Sequence, residues 1–173
     1  GGLFFFFLEK NVMTNGENGV AIINPVFAYP KIKNYNQFTN FKNGLFCTGI
    51  GGLGGKIDVT DHNTFNCRVN GIFFDQNYGP SFEVKNNKFF QSSSVVVGAG
   101  SNGLKVNSLS GGTLGNWGQG LISGNEFHIS TPKHSNGMIY ISQYGSVSII
   151  NQNKYNFLAH SDLGNAGHSG IYL

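Results

Sequence analysis

Few residues in this chain have chemistry to offer: eight carboxylates, five histidines, two cysteines and one tryptophan. A hard cation such as Ca²⁺ needs several acidic oxygens converging on one point. Glycoside hydrolysis needs two carboxylates about 5 to 9.5 Å apart across the scissile bond. Glu9, Glu17, Asp58, Asp61, Asp75, Glu83, Glu126 and Asp162 are scattered, and no two are expected at the same phase of adjacent repeats. Asp58 and Asp61 fall on a strand and the following turn and so point in different directions, which makes a turn role the expectation for Asp61. His128, His134, His160 and His168 stand at no two-, three- or four-residue ligand spacing from one another. Neither a metal site nor a cofactor is therefore expected, and no residue is assigned a catalytic role. Cys47 and Cys67 occupy different phases of the repeat, so a disulfide is not expected and Cys47 reads as a small buried hydrophobe.

What remains is recognition. Trp117 lies in the polar, Gly-rich stretch 107–120, and Tyr144 in a neighbouring segment. Either ring could stack on a sugar, whereas a loop aromatic such as Trp117 more often caps the loop over the outer surface.

These residues are positioned by a repeat. Six times an Asn is followed two residues later by an aromatic or Met, and then by a Gly that opens an apolar alternation. The Asn positions are Asn11, Asn36, Asn63, Asn87, Asn125 and Asn153; the Gly positions are Gly19, Gly44, Gly71, Gly103, Gly137 and Gly170. Self-similarity at a few tens of residues signals stacked coils. After each Gly the first and third residues are apolar, so the period of two turns both inward: Val20 and Ile22, Leu45 and Cys47, Ile72 and Phe74, Leu104 and Val106, Met138 and Tyr140, Ile171 and Leu173.

The intervening outward positions read Ala21, Phe46, Phe73, Lys105, Ile139 and Tyr172, a largely apolar external strip. Such a strip is either an interface covered by loops, another domain or another chain, or a row of side chains that ladder with one another. The Asn residues are expected at a bend, because Asn accepts left-handed backbone and its amide can bond coil to coil. Three residues before the Asn the chain is aliphatic at Leu8, Val84, Ile122 and Ile150, whereas Lys33 and Thr60 break the pattern.

Composition agrees with a turn-dense β protein: 11% of residues are charged, against roughly one quarter in ordinary domains, and there are 26 glycines. The net charge of +3 is spread thinly, with no basic cluster for nucleic acid. The apolar run from Leu3 to Leu8 is far short of a membrane span and lacks the features of a signal peptide, so it reads as a buried strand. Lys far outnumbers Arg, and Asn, Phe and Ile are plentiful, as in AT-rich coding sequence from low-GC bacteria.

The order aliphatic, x, x, Asn, x, Phe, then Gly and Ile resembles the right-handed parallel β-helix repeats of the pectin-lyase-like superfamily over essentially the whole chain. The resemblance implies an all-β right-handed parallel β-helix of about six coils, with residues 1–173 forming one domain. It does not choose among the superfamily's lyases, hydrolases, phage tailspikes and large bacterial surface proteins. Gly167-His168-Ser169-Gly170 is similar to a hydrolase segment of that superfamily, but the paired Asp residues that accompany it there have no counterpart.

From Asn to Gly the first three coils use 8 residues each, and the last three use 16, 12 and 17. Insertions in a solenoid gather on one face, often the binding face, so Trp117, Tyr144 and His168 are the expected ligand contacts. The chain opens at Gly1 inside an apolar strand and stops at Leu173, a core position, so a segment of a longer β-helical polypeptide is expected. The expected function is a structural or adhesive part of a secreted or cell-surface protein, contacting a polysaccharide or a protein, including other domains of the same polypeptide. The alternatives are a polysaccharide lyase or hydrolase, and a phage tail spike. Neither nucleic-acid binding nor membrane insertion is expected.

Overall fold

The computed structural model describes residues 4–23, 28–48, 56–75, 81–91, 102–107, 120–129, 139–142, 148–157 and 171–172. Every described element is a strand. The first coil comprises β1 (Phe4–Glu9) and β2 (Val12–Ile23), and the second β3 (Ala28–Lys33) and β4 (Gln37–Thr48). Then come β5 (Lys56–Thr60), β6 (Thr64–Cys67) and β7 (Asn70–Asp75), followed by β8 (Ser81–Lys85), β9 (Lys88–Gln91) and β10 (Asn102–Asn107). Next are β11 (Gly120–Ser123), β12 (Glu126–Ile129) and β13 (Ile139–Ser142), and last β14 (Ser148–Asn151), β15 (Lys154–Phe157) and β16 (Ile171–Tyr172).

One six-stranded sheet runs β1-β3-β5-β8-β11-β14, and the other strands form a ten-stranded sheet. All pairing is parallel and joins successive coils, which defines an all-β parallel solenoid. It has about four turns, against six equivalent coils expected. Six levels are stacked, of which four have three separate strands and count as full three-sided turns, whereas in the first two a single 12-residue strand bends round what is elsewhere a corner.

The interior is a set of vertical columns. Val20, Leu45, Ile72, Leu104, Ile139 and Ile171 are register partners in turn, and so are Ile22, Cys47, Phe74, Val106 and Ile141. Here one expectation is corrected: in the fifth coil Ile139, not Met138, pairs with Leu104 and is fully buried, and Ile141, not Tyr140, pairs with Val106, while Tyr140 faces out. The block carries one extra residue there, so counting from Gly137 is off by one. Met138 lies outside the described residues.

A third column is aliphatic: Leu8, Ile32, Val59, Val84, Ile122 and Ile150. Ile32 and Val59 stand four residues before their Asn, where the other coils use three, because their corners contain an additional residue. Lys33 and Thr60 thus mark a longer corner, not a lost register. The run at the N-terminal end, expected as a buried strand, is buried on one side only: Phe6 and Leu8 turn inward, while Phe5 and Phe7 are 70% and 59% exposed.

Met13, Phe38, Phe65, Phe89, Phe127 and Tyr155 form a column of mostly aromatic side chains, and Phe38 through Tyr155 stack at centroid spacings of 4.7–5.5 Å with interplanar angles of 5–9°. This stack explains the Gly. A Cβ on Gly19, Gly44 or Gly71 would stand 2.6 Å from the ring of Phe38, Phe65 or Phe89, respectively, and 2.6–2.7 Å from the carbonyl oxygen of the next Gly. The two motifs are one device, in which each ring lies against the bare backbone of the coil before it.

The Asn column is bonded throughout. Asn63 Nδ2 donates to Asn87 Oδ1 (2.9 Å) and to the carbonyls of Thr60 and Ile32 (2.7 and 3.0 Å), while Asn63 Oδ1 accepts from the Asn36 backbone N–H and Nδ2. One side chain therefore ties three coils together. The left-handed residue is not the Asn, as expected, but its predecessor: Lys10, Tyr35, His62, Asn86, Gly124 and Gln152 all have φ between 54° and 68°. The Asn amide satisfies the backbone groups which that corner frees.

Candidate functional site

Among the described residues, the polar and aromatic side chains considered for function lie on the outer faces of the sheets. The strip opposite the inner columns runs Ala21, Phe46, Phe73, Lys105 and Tyr140 in register, and the backbone of Tyr172 pairs with that of Tyr140. Ile139, assigned to this strip from the sequence, belongs to the core, and Tyr140 takes its place. Phe46 and Phe73 pack with centroids 5.4 Å apart and a 44° tilt. The Lys105 ammonium sits 5.2 Å from the Phe73 ring centre and 5.3 Å from that of Tyr140. Phe46, Phe73, Lys105 and Tyr140 are each half-buried. The rings ladder with one another through a cation, so their faces are satisfied internally while their edges meet solvent.

In chain order residues 92–101 precede β10 and residues 130–138 precede β13, while residues 108–119 and 143–147 follow those strands. Trp117, Tyr144 and His168, the sugar contacts expected from the sequence, lie outside the described residues, as do His134 and His160.

The outer face of the six-stranded sheet holds charge. Asp58 and Glu83 are register partners in adjacent coils, which corrects the expectation that no two carboxylates share a phase. The extra corner residue hid this, since Asp58 is five residues before its Asn and Glu83 four. Lys56 Nζ bridges both, at 2.9 Å from Asp58 Oδ1 and 2.7 Å from Glu83 Oε2, and Lys85 reaches Glu83 at 3.0 Å. The hydrogen bond donated by Lys56 holds the Glu83 carboxyl below the usual carboxylate range, and donating to Glu83 and Asp58 pushes Lys56 up. A general acid must stay protonated near neutral pH, and this environment favours the opposite state. The pair is a cross-link between coils. Asp61, in the corner, accepts from Thr60 Oγ1 at 2.8 Å, consistent with a turn role.

A third face lies outside the aromatic stack. His128 stacks on Phe90 (4.7 Å, 11°), its Nδ1 lies 3.3 Å from Asn156 Nδ2, and its Nε2 lies 3.4 Å from Glu126 Oε2. Glu126 also faces Lys88 at 3.6 Å. The His128 contact, followed by the nearby lysines, lowers the Glu126 carboxyl. Among the described residues no three His, Cys, Asp or Glu side chains converge on one point.

Neither cysteine forms a disulfide, and both are buried. Burial raises the Cys47 thiol far above its ordinary value and pushes Cys67 up to about 12, so neither supplies a thiolate nucleophile at neutral pH.

Sequence reasoning missed a second amide row. Asn43 Nδ2 donates to Asn18 Oδ1, Asn70 to Asn43 and Asn102 to Asn70, at 2.7–3.0 Å. The signal was present, as the Asn immediately before five of the six Gly positions. This row donates toward the N-terminal coil, and the first row donates the other way. No protein-family model matches the chain, and no curated protein or solved structure shows significant similarity to it.

Proposed function

We propose that this chain is a structural and adhesive segment of a secreted or cell-surface β-helix protein of the pectin-lyase-like type. The coils act as a stiff spacer, and the strip Phe46–Phe73–Lys105–Tyr140 with the connections of the later coils contacts a polysaccharide or a protein partner. The observation that supports this reading most is the strip itself, a half-buried aromatic row with an interleaved ammonium on the outer face of a parallel sheet. Aromatic edges and a cation together suit hydroxyl-rich or mixed polar partners. The carboxylates in register are neutralised by lysine, which supports a scaffold over a hydrolase.

The test is a glycan array probed with the wild type, with Trp117→Ala and with Lys105→Ala combined with Tyr140→Ala, each variant first shown to retain the wild-type circular dichroism. Binding that drops at least about tenfold in either variant, near 1.4 kcal/mol, supports the reading. Equal signals from all three proteins would remove the glycan contact from the proposal.

A further inference from the structure

The sequence holds several Asn-Gly dipeptides, and the structure treats them unequally. Asn-Gly is the pair most open to attack of the following backbone nitrogen on the side-chain amide, because Gly puts no Cβ in the way. Asn43 and Asn70 are buried, at 6% and 4% exposure, and each is bonded at both ends of its amide within the second row. Their glycines, Gly44 and Gly71, are pressed against a phenylalanine ring and a carbonyl oxygen. Neither the leaving nitrogen nor the attacking backbone can move without opening the coil.

Asn15-Gly16 is different. Both residues are exposed, at the bend within β2, where Asn15 has φ 63° and Gly16 φ 154°. Asn15 is bonded through its acceptor: Asn40 Nδ2 donates to Asn15 Oδ1 at 2.6 Å. That contact draws electron density from the Asn15 carbonyl and would stabilise the oxyanion formed on attack, without tying the leaving nitrogen. Asn15 itself is skipped in the pairing of β2 with β4.

We infer that Asn15 is a site of spontaneous deamidation, with water as the co-reactant. The deprotonated Gly16 nitrogen attacks Asn15 Cγ, the N–Cγ bond forms, the Cγ–Nδ2 bond breaks and ammonia leaves with a proton. Water then opens the cyclic imide at either carbonyl, giving aspartate or isoaspartate, with no change of oxidation state. The product adds a negative charge beside Glu17 at the bend, and the isoaspartate form lengthens the backbone of β2 by one carbon.

The experiment is incubation of the folded protein in mildly alkaline buffer, followed by peptide mapping with mass spectrometry and isoaspartate detection. Asn15 is expected to convert at least about tenfold faster than Asn43 and Asn70, whose reaction must wait for local opening. In urea the three sites should react at comparable rates, and fragment ions should assign the folded-state mass gain to residue 15 and not to Asn18-Gly19 of the same peptide. Folded-state conversion of Asn15 no faster than that of Asn43 and Asn70 would overturn the inference, and so would a mass gain in that peptide that fragmentation assigns to Asn18 alone.

Discussion

Asn63 shows what one side chain does here. It is fully buried, bonds to the coils before and after its own, and has no water to replace any partner it loses. Asn63→Ala leaves several buried donors and acceptors unpaired, each costing about 1–3 kcal/mol, so urea denaturation should show a loss of at least about 3 kcal/mol. Asn153, in the last described coil and partly open, should lose clearly less on the same change. This row was legible because the same residue type recurred at one phase. The second row was not, because its Asn hid behind the more conspicuous Gly. The left-handed corner was assigned to the wrong residue because nothing unites Lys10, Tyr35, His62, Asn86, Gly124 and Gln152 except backbone geometry.

Corners and strands set the next scale. A left-handed backbone costs about 1–2 kcal/mol for most L-residues and less for Asn, whose side chain bonds locally. Gln152→Asn, which copies Asn86, should therefore raise stability by up to about 1 kcal/mol in thermal or urea melts. Gly71→Ala should do the reverse, because its Cβ would meet the Gly103 carbonyl oxygen and the Phe89 ring at 2.6 Å. A loss of at least about 1–3 kcal/mol is expected.

The ion-pair face predicts a pH dependence. Glu83 has a lowered folded pKa, so its contribution is complete above its unfolded value near 4.5 and fades as pH falls through the lower folded value. Lys56 is raised, so its share is intact below 10.5 and fades as pH rises through the folded value. Glu83→Gln should lower neutral-pH stability by about 0.2–1 kcal/mol and flatten the acid limb of a stability-against-pH series. At this scale the sequence displayed the strands but not their phase. Lys33 and Thr60 looked like faults because corner length varies by one residue, and Ile139 was turned the wrong way because the fifth coil carries one extra. Both slips come from counting along a chain whose coils are not equal in length.

Over the whole molecule stability is a sum over neighbours, since each coil touches only the one before and the one after. Hydrogen exchange should therefore be slowest for amides of β4, β6 and β7, which have paired strands on both sides, and faster in β1 and β16, which have one. Uniform protection along the axis would contradict the nearest-neighbour picture. The overall architecture was the most legible level of all, because stacking demands that like residues recur and recurrence is what a sequence displays. The contact surface was the least legible: Phe46 and Phe73 announced a strip, but only coordinates could reveal that Lys105 joins its rings.

The bare glycine beneath each ring has an evolutionary corollary. A duplicated stretch of gene carrying one full coil brings its own Asn, Phe and Gly, and each meets above and below the partners it had before. Unequal recombination can thus lengthen or shorten such a protein by whole storeys without redesigning the interior, whereas the loss of one nucleotide triplet inside a strand turns its inward residues outward. Selection on reach can act through copy number alone.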